Sequence, residues 1–459
     1  MRYDTVIIGA GLSGLAAGAR LAHYGKKILI LERHYRIGGL SSFYRAGGIN
    51  LDVGLHAVTN YNPAGPKTAP MARLLRRLRI RPEELKLFPQ FESRISFPGV
   101  TLRFSNDREL LPAEVERAFP GQGDNFRKLA RMVDELYARD FDTGPASARE
   151  VVSNIITEPL LVEMLFCPLM FYGCPQEHDM DFRLFALIFL SVYSEGMARP
   201  RDGIRPLLEL IQSRFQEAGG EIRLRCGASR VEVKGGKAQA VITDKGERIE
   251  CDNVLSSAGL AETAAICPEM AGDGPAPAPG RISFVESIFS LDTPPSRQGY
   301  DFSLTFYSDT EKFEYRSPDD PVDLKSGVIC LPGNFAYDNP MEHELARHTQ
   351  MANPFFWEKL SGEEYIIHKR IWREKSAEAL FSRTPGLRAH AVFVDMFTPN
   401  TIKKYTGHIN GAVYGAPVKI KDGVTPVKNL FICGTDQGYL GIVGSMVSGV
   451  GIANWHLLK

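Results

Sequence analysis

The stretch Tyr3–Arg33, YDTVIIGAGLSGLAAGARLAHYGKKILILER, has a definite order of parts. Thr5–Ile8 is a short apolar strand, and Gly9, Gly11 and Gly14 follow in GxGxxG spacing. An alanine-rich helix runs to about Tyr24, the chain turns at Gly25, and a second strand spans Lys27–Leu31. Each glycine has a physical task. Gly9 allows a tight strand-to-helix turn, Gly11 leaves room for a pyrophosphate to approach backbone, and Gly14 lets helix and strand pack closely. The N–H groups that open the helix, at Leu12 and Ser13, then face the phosphates with the helix dipole behind them. Glu32 closes the second strand, where a carboxylate accepts hydrogen bonds from ribose hydroxyls. An acid rather than an arginine there disfavours a 2′-phosphate, which leaves NAD or FAD as the expected dinucleotide.

Twenty residues on, Ile30–Phe43 reads ILERHYRIGGLSSF and brings a second glycine pair, Gly38 and Gly39. A second pair so soon makes sense for a ligand that continues past the first helix. RIGGLSSF resembles the glycine-doublet segment of flavoproteins in the amine oxidase and phytoene desaturase superfamily. The resemblance implies that Gly38, Gly39, Leu40 and Ser41 lie against the pyrophosphate and ribityl chain of FAD, with Arg33 beside Glu32 near the adenosine. Relatives usually carry arginine after the doublet; Leu40, Ser41 and Ser42 stand here, so an ion pair from that position is absent.

LDVGLHAVTN (Leu51–Asn60) is similar to the FDxGxH-type segment of the retinol saturase and carotenoid isomerase branch, which implies Gly54 and His56 near the flavin ring. A satisfied core histidine is the alternative reading of His56. Ala228, three residues before Val231, is the position expected to meet the adenine. NLFICGTDQGYLGIVGSMVSGVGIAN (Asn429–Asn454) resembles the family's closing strand, glycine–aspartate turn and last helix. Ile442 and Val443 sit where that helix would face the flavin pyrimidine, and its positive end would stabilise charge on a reduced ring. Relatives have Gly-Asp; Gly434-Thr435-Asp436 here leaves the ribityl contact open between Thr435 and Asp436. TPNTIKKYTGHINGAVYG (Thr398–Gly415) resembles the TPxTxxxYTxxxxGAxYG segment of the same branch.

The resemblance implies an α/β fold: a discontinuous Rossmann-like FAD-binding domain (1–75, 198–269, 416–459) and an α+β substrate domain (76–197, 270–415). The substrate domain is expected to combine a mixed sheet with apolar helices. It further implies an FAD-dependent oxidoreductase that desaturates, saturates or isomerises a long apolar isoprenoid or polyene by hydride exchange with flavin N5. His56 is the first candidate for a proton donor and Tyr405 the second. A flavin amine oxidase, and a non-enzymatic prenyl-binding protein of the GDP dissociation inhibitor type, remain as alternatives.

The rest of the chain bounds these readings. At 459 residues it is too long for one compact core. Fifty-four basic and 54 acidic side chains balance, which argues against nucleic acid as a partner. Seven dispersed cysteines without a CxxC fit a reducing compartment and no metal site. The first strand begins at Tyr3, so the expected location is cytoplasmic. EPLLVEMLFCPLMFYGCP (158–175) and DFRLFALIFLSVY (181–193) are helical core or the wall of an apolar tunnel. Gln437–Leu458 is long enough to span a bilayer but carries five glycines, two serines, Gln437, Asn454 and His456, and reads as an internal helix. In residues 71–81, Met71, Leu74, Leu75 and Leu78 form an apolar stripe flanked by five arginines, the pattern of a helix in reversible contact with a membrane surface. The electron partner has no signature.

Overall fold

The computed structural model describes residues 2–55, 57–62, 69–138, 145–272 and 274–458. Its strands gather mainly into two seven-stranded sheets. The first runs Glu221–Arg223, Ile28–Leu31, Arg2–Ile8, Arg248–Ser256, Lys237–Thr243, Ala228–Lys234, with Leu430–Ile432 also paired to Arg248–Ser256. The long strand Arg248–Ser256 is shared. Its beginning pairs antiparallel with Lys237–Thr243, while Val254–Ser256 pairs parallel with Leu430–Ile432. Strands from the chain's start, middle and end thus lie side by side in one parallel core. The expected strand–helix–strand order is present: Arg2–Ile8, helix Leu12–Ala22, then Ile28–Leu31, parallel in register Val6 to Leu29.

The central parallel strands are covered on both faces, so residues 6–8 and Ile28–Leu31 are continuous buried apolar runs, whereas Glu221–Arg223 and Ala228–Lys234 at the two edges are partly exposed. Leu207, Leu208, Ile211 and Phe215 of helix Arg205–Glu217 are buried against one face, the stripe their spacing predicts. Helix Gly441–Ile452 packs beside helix Leu12–Ala22. The approach is close: a Cβ placed on Gly449 would lie 2.0 Å from the carbonyl oxygen of Ser13. Of the glycines that kept Gln437–Leu458 from reading as a membrane span, Gly449 therefore serves helix-to-helix contact. No helix among the described residues is long and apolar enough to cross a membrane.

The helix Pro70–Arg77 overturns the reason given for membrane contact. Met71, Leu74, Leu75, Leu78 and Ile80 are buried in the same apolar cluster as the opening and closing helices. Arg73, Arg76, Arg77, Arg79 and Arg81 remain exposed. A solvated basic face persists, but the apolar face that an interfacial helix must give to lipid is occupied by the protein's own core.

The second sheet runs Ala391–Phe397, Ser283–Leu291, Glu344–Ala352, Ser326–Cys330, Leu304–Ser308, Ser93–Phe97, Val100–Phe104. Neighbours are antiparallel except for the parallel pair Leu304–Ser308 and Ser93–Phe97. Ser283–Leu291 is buried along nearly all its length rather than on alternate residues. Helices pack on the sheet: Gly362–Arg383 against Ser283–Leu291 and Ala391–Phe397, and the apolar helix Pro159–Gly173 against Ser93–Phe97 and Leu304–Ser308, with helix Phe182–Phe189 packed on Pro159–Gly173 in turn. Met164, Leu165, Phe166, Leu169, Met170 and Phe185 are buried in the largest apolar cluster, the helical-core reading of that segment.

Glu114, on helix Leu110–Ala118, anchors this helical layer to the sheet edge. Its buried carboxylate accepts hydrogen bonds from Arg103 and Arg117, each at 2.8 Å. Burial alone would raise its pKa, yet the two guanidiniums hold it down to about 2. The folded pKa lies below the unfolded one, so this contribution is present above about pH 5 and is lost as pH falls toward 2. Glu114→Gln should lower the thermal midpoint at neutral pH, with the gap from wild type closing on acidification. Gly449→Ala should cost about 1–3 kcal/mol in urea unfolding, because backbone rather than a flexible side chain stands in the way.

Candidate functional site

Between the two sheets lies a cleft of ≈ 950 Å³. Its floor is built by the opening strand–helix–strand unit. Gly9 makes the turn at φ +97°, a conformation open to glycine, and its N–H donates to the Leu31 carbonyl at 2.8 Å. Gly14 is buried in the joint: a Cβ there would meet the Gly9 carbonyl oxygen at 2.2 Å. Gly11 is different. Its φ of −69° suits any residue, and nothing lies within 4 Å of where its Cβ would be. What it leaves open is the cleft, beside the first N–H groups of the helix at Leu12 and Ser13.

The second glycine pair closes onto the first. Gly38 (φ +111°) donates its N–H to the Ala10 carbonyl at 2.8 Å and bridges to Gly11. A Cβ on Gly39 would come within 3.5 Å of Gly11 Cα. Two glycine turns thus form one seam of backbone along the floor, with Leu40 and Ser41 continuing it.

Glu32 and Arg33 line one end, together with Ala228 and Asp244 from the sheet's antiparallel side. The buried Glu32 carboxylate accepts the N–H groups of Ala10 and His34, each at 2.8 Å. Burial pushes its pKa up, and those two donors oppose the shift. Thr435 and Ser445, from the closing turn and helix, line the same cleft. The roof comes from the second sheet's side: Tyr365, Lys369, Met396, Thr401 and Tyr405. No sequence signal marked Asp244, Tyr365 or Lys369. They reach the cleft only through long-range folding.

The remaining expected residues fall elsewhere. His56 lies outside the described residues. Gly54 (φ +90°) follows Val53, which does line the cleft. Gly434 packs against Ser13, where a Cβ would meet Oγ at 2.9 Å. Val443 is buried in the core with the opening helix, Ile442 is half-buried against it, and neither lines the cleft. Asp436 is turned away from the cleft. Its buried carboxylate accepts the N–H groups of Leu260 (2.5 Å) and Ala416 (2.7 Å) and the Lys419 ammonium (3.1 Å). Asp436 ties three loops together, while Thr435 lines the cleft.

Tyr405, the second candidate proton donor, lies at the Glu32 end of the cleft. Its ring meets His34 edge-on at 5.1 Å between centroids, two residues beyond Glu32, and it is 42% exposed. It covers the end of the cleft lined by Glu32, Arg33 and His34. At the start of the closing helix, Leu440 packs on Gly173, where a Cβ would lie 2.9 Å from Leu440 Cβ. This contact joins the helix N-terminus to an aromatic cluster. Phe171 packs with Phe284 at 5.9 Å, Phe313 at 5.7 Å and Tyr315 at 6.0 Å, and Tyr414 meets Phe284 at 5.8 Å. The Tyr414 hydroxyl donates to the Phe171 carbonyl. Lys419, which no motif pointed to, donates to the Tyr414 carbonyl at 2.7 Å, and burial lowers its pKa. Among the described residues no cluster has the makeup of a metal site.

The contrast between Gly11 and Gly14 gives a test. Gly11→Ala should leave the thermal midpoint of cofactor-free protein unchanged while weakening dinucleotide retention, read by absorbance of the purified protein. Gly14→Ala should lower the thermal midpoint itself.

Known proteins share this chain's fold and family. The chain is 23% identical to all-trans-retinol 13,14-reductase of Rattus norvegicus, across 97% of this chain and 84% of that one. It is 19% identical to prolycopene isomerase 2, chloroplastic, of an Oncidium hybrid cultivar, across 92% of this chain and 77% of that one. An oxidoreductase from Methanosarcina mazei shares the fold with a TM-score of 0.68 at 17% identity, covering 99% of this chain and 100% of that one. The profile of the flavin containing amine oxidoreductase family matches residues 12–332, and the chain belongs to that family.

Proposed function

We propose that the protein is an FAD-dependent oxidoreductase acting on a long apolar isoprenoid or polyene. The observation that carries the cofactor assignment is the paired glycine seam. Gly11 leaves space that a Cβ would fill, and Gly38 and Gly39 extend the same surface onward. A dinucleotide whose second half continues past the helix N-terminus fits that length. When bound, the flavin supplies hydride exchange at N5.

The chain's own residues bind, orient and exclude water. Glu32 accepts a ribose hydroxyl with lone pairs left over from its two backbone bonds. The N-terminus of helix Leu12–Ala22 receives the pyrophosphate. Gly38–Ser41 and Thr435 flank the ribityl chain, and His34 with Tyr405 covers the nucleoside. The N-terminus of helix Gly441–Ile452 supplies positive potential at the ring end. Behind that helix start, through Gly173 and Leu440, packs the aromatic cluster of Phe171, Phe284, Phe313 and Tyr414, an apolar body that would keep water from a hydrocarbon chain bound beside it. This reading divides the chain into a cofactor domain (1–75, 198–269, 416–459) and a substrate domain (76–197, 270–415). The names of the retinol reductase and the prolycopene isomerase support an apolar polyene substrate. Direction is left to experiment: saturation, desaturation and isomerisation share this geometry.

The test is anaerobic reduction of FAD-loaded protein, followed by addition of carotenoids, retinoids, isoprenoid quinones or amines. A polyene should reoxidise the flavin or change its own absorption spectrum. Turnover of an amine with peroxide release would replace this reading with an amine oxidase. A colourless protein that FAD cannot reconstitute would replace it with a non-enzymatic prenyl binder.

A further inference from the structure

Four charged side chains meet where the two halves of the structure join. Asp52 ends strand Ile49–Asp52, and Arg199 lies on Met197–Pro200. Glu286 and Arg347 lie on Ser283–Leu291 and Glu344–Ala352 of the second sheet. Arg347 is 0% exposed, Arg199 and Glu286 are 2%, and Asp52 is 5%. Arg347 donates through Nε to Glu286 and through Nη2 to the backbone carbonyl of Asp52 at 2.7 Å. Arg199 donates through Nη2 to the Asp52 carboxylate at 3.0 Å and through Nη1 to the Tyr337 hydroxyl at 3.1 Å.

Such a set is a poor device for stability alone. Taking four charges out of water costs several kcal/mol per ion, and apolar residues of similar size would often serve as well or better. What the two arginines share is Asp52. One grips its side chain, the other its main chain. The Asp52–Val53 peptide is in fact held at both ends: its carbonyl accepts from Arg347, and its N–H, on Val53, donates to the Ser42 carbonyl at 2.9 Å. A peptide plane bonded on both sides cannot rotate without breaking one bond. Ser42 follows the glycine doublet, Val53 lines the cleft, and Gly54 takes φ +90° immediately afterwards. The glycine seam and the segment entering the cleft behind it are therefore fixed relative to each other, and Arg347 fixes both to the second sheet.

We propose that Arg347 and Arg199 are positioning residues: they lock the Asp52–Val53 peptide and thereby hold the Val53–Leu55 segment at the cofactor cleft. Neither arginine lines the cleft, so they act through Asp52. The fork geometry matters. A guanidinium reaches Glu286 and the Asp52 carbonyl at once along fixed directions, which an ammonium cannot reproduce. The inference rests on the FAD reading for its consequence in catalysis, but the locking itself does not.

The experiment uses the full chain with two conservative substitutions, Arg347→Lys and Asp52→Asn. Amide hydrogen exchange on cofactor-free protein should quicken about tenfold or more at residues 53–55. Strands Arg2–Ile8 and Ser283–Leu291 should keep wild-type protection well below the thermal midpoint, which itself should fall, because each change leaves a buried charge less well paired. The FAD dissociation constant, from quenching of flavin fluorescence, should rise about 10–100-fold, the usual effect of losing a supporting residue behind a bound group. With a turned-over substrate, kcat should fall and KM stay near wild type. Unchanged exchange at residues 53–55 overturns the proposal. So does an increase shared by the whole protein, or failure of both variants to fold, since the network would then serve general stability. Wild-type protein that binds no FAD would refute the proposed function, while the exchange measurement would still decide the locking.

Discussion

The close passage of helix Gly441–Ile452 over helix Leu12–Ala22 is the contact on which the molecule depends. Gly449 stands against the Ser13 carbonyl with no room for a methyl group, and Gly434 stands against the Ser13 side chain. Through this passage the end of the chain reaches the cleft that its beginning opens. Strand Leu430–Ile432, parallel to Val254–Ser256, delivers the chain to that point. Without the passage, Thr435 and the closing helix N-terminus would have no fixed place beside Gly9, Gly11 and Gly39. A site assembled from residues more than four hundred positions apart needs backbone-to-backbone contact at its seam, because side chains alone would leave it adjustable.

The polar residues at this seam divide their labour by burial. Asp436 is closed in and satisfied by two N–H groups and the Lys419 ammonium, so it fixes loops. Thr435, its neighbour, has its side chain at the cleft. Glu32 sits between these extremes: buried, bonded to two backbone donors, yet on the cleft wall. A carboxylate held in this way is already oriented before a ligand arrives, and the orientation is not lost on binding. The same logic extends to the glycines. Those with a positive φ shape the floor, and Gly11, with an ordinary φ, contributes empty space.

How much of this could be read from the sequence depended on the range of the interaction. The parts of Tyr3–Arg33 were legible because a strand, a glycine turn and a helix are fixed by neighbours within a few residues. The stripe Leu207, Leu208, Ile211, Phe215 was legible for the same reason. The stripe Met71, Leu74, Leu75, Leu78 was equally clear as a helix face, but periodicity does not say what covers it, and the closing helix does so in place of lipid. Tyr405 was seen as part of a motif, yet its place next to His34 follows from how Pro399–Thr406 crosses the cleft. Asp244, Tyr365, Lys369 and Lys419 carried no signal at all, since each owes its position to contacts across long stretches of chain.

The second sheet's role follows from what the first cannot do. A parallel sheet with glycine turns at one edge can hold a nucleotide, but its cleft is open to water on the far side. Here Met396, Thr401 and Tyr405 supply the missing roof, and the aromatic cluster around Phe171 packs behind the start of the closing helix through Gly173 and Leu440. Tyr414 shows the economy of the arrangement. Its hydroxyl is spent on the Phe171 carbonyl and its ring faces Phe284, so a polar side chain presents an apolar surface without leaving a buried donor unpaired.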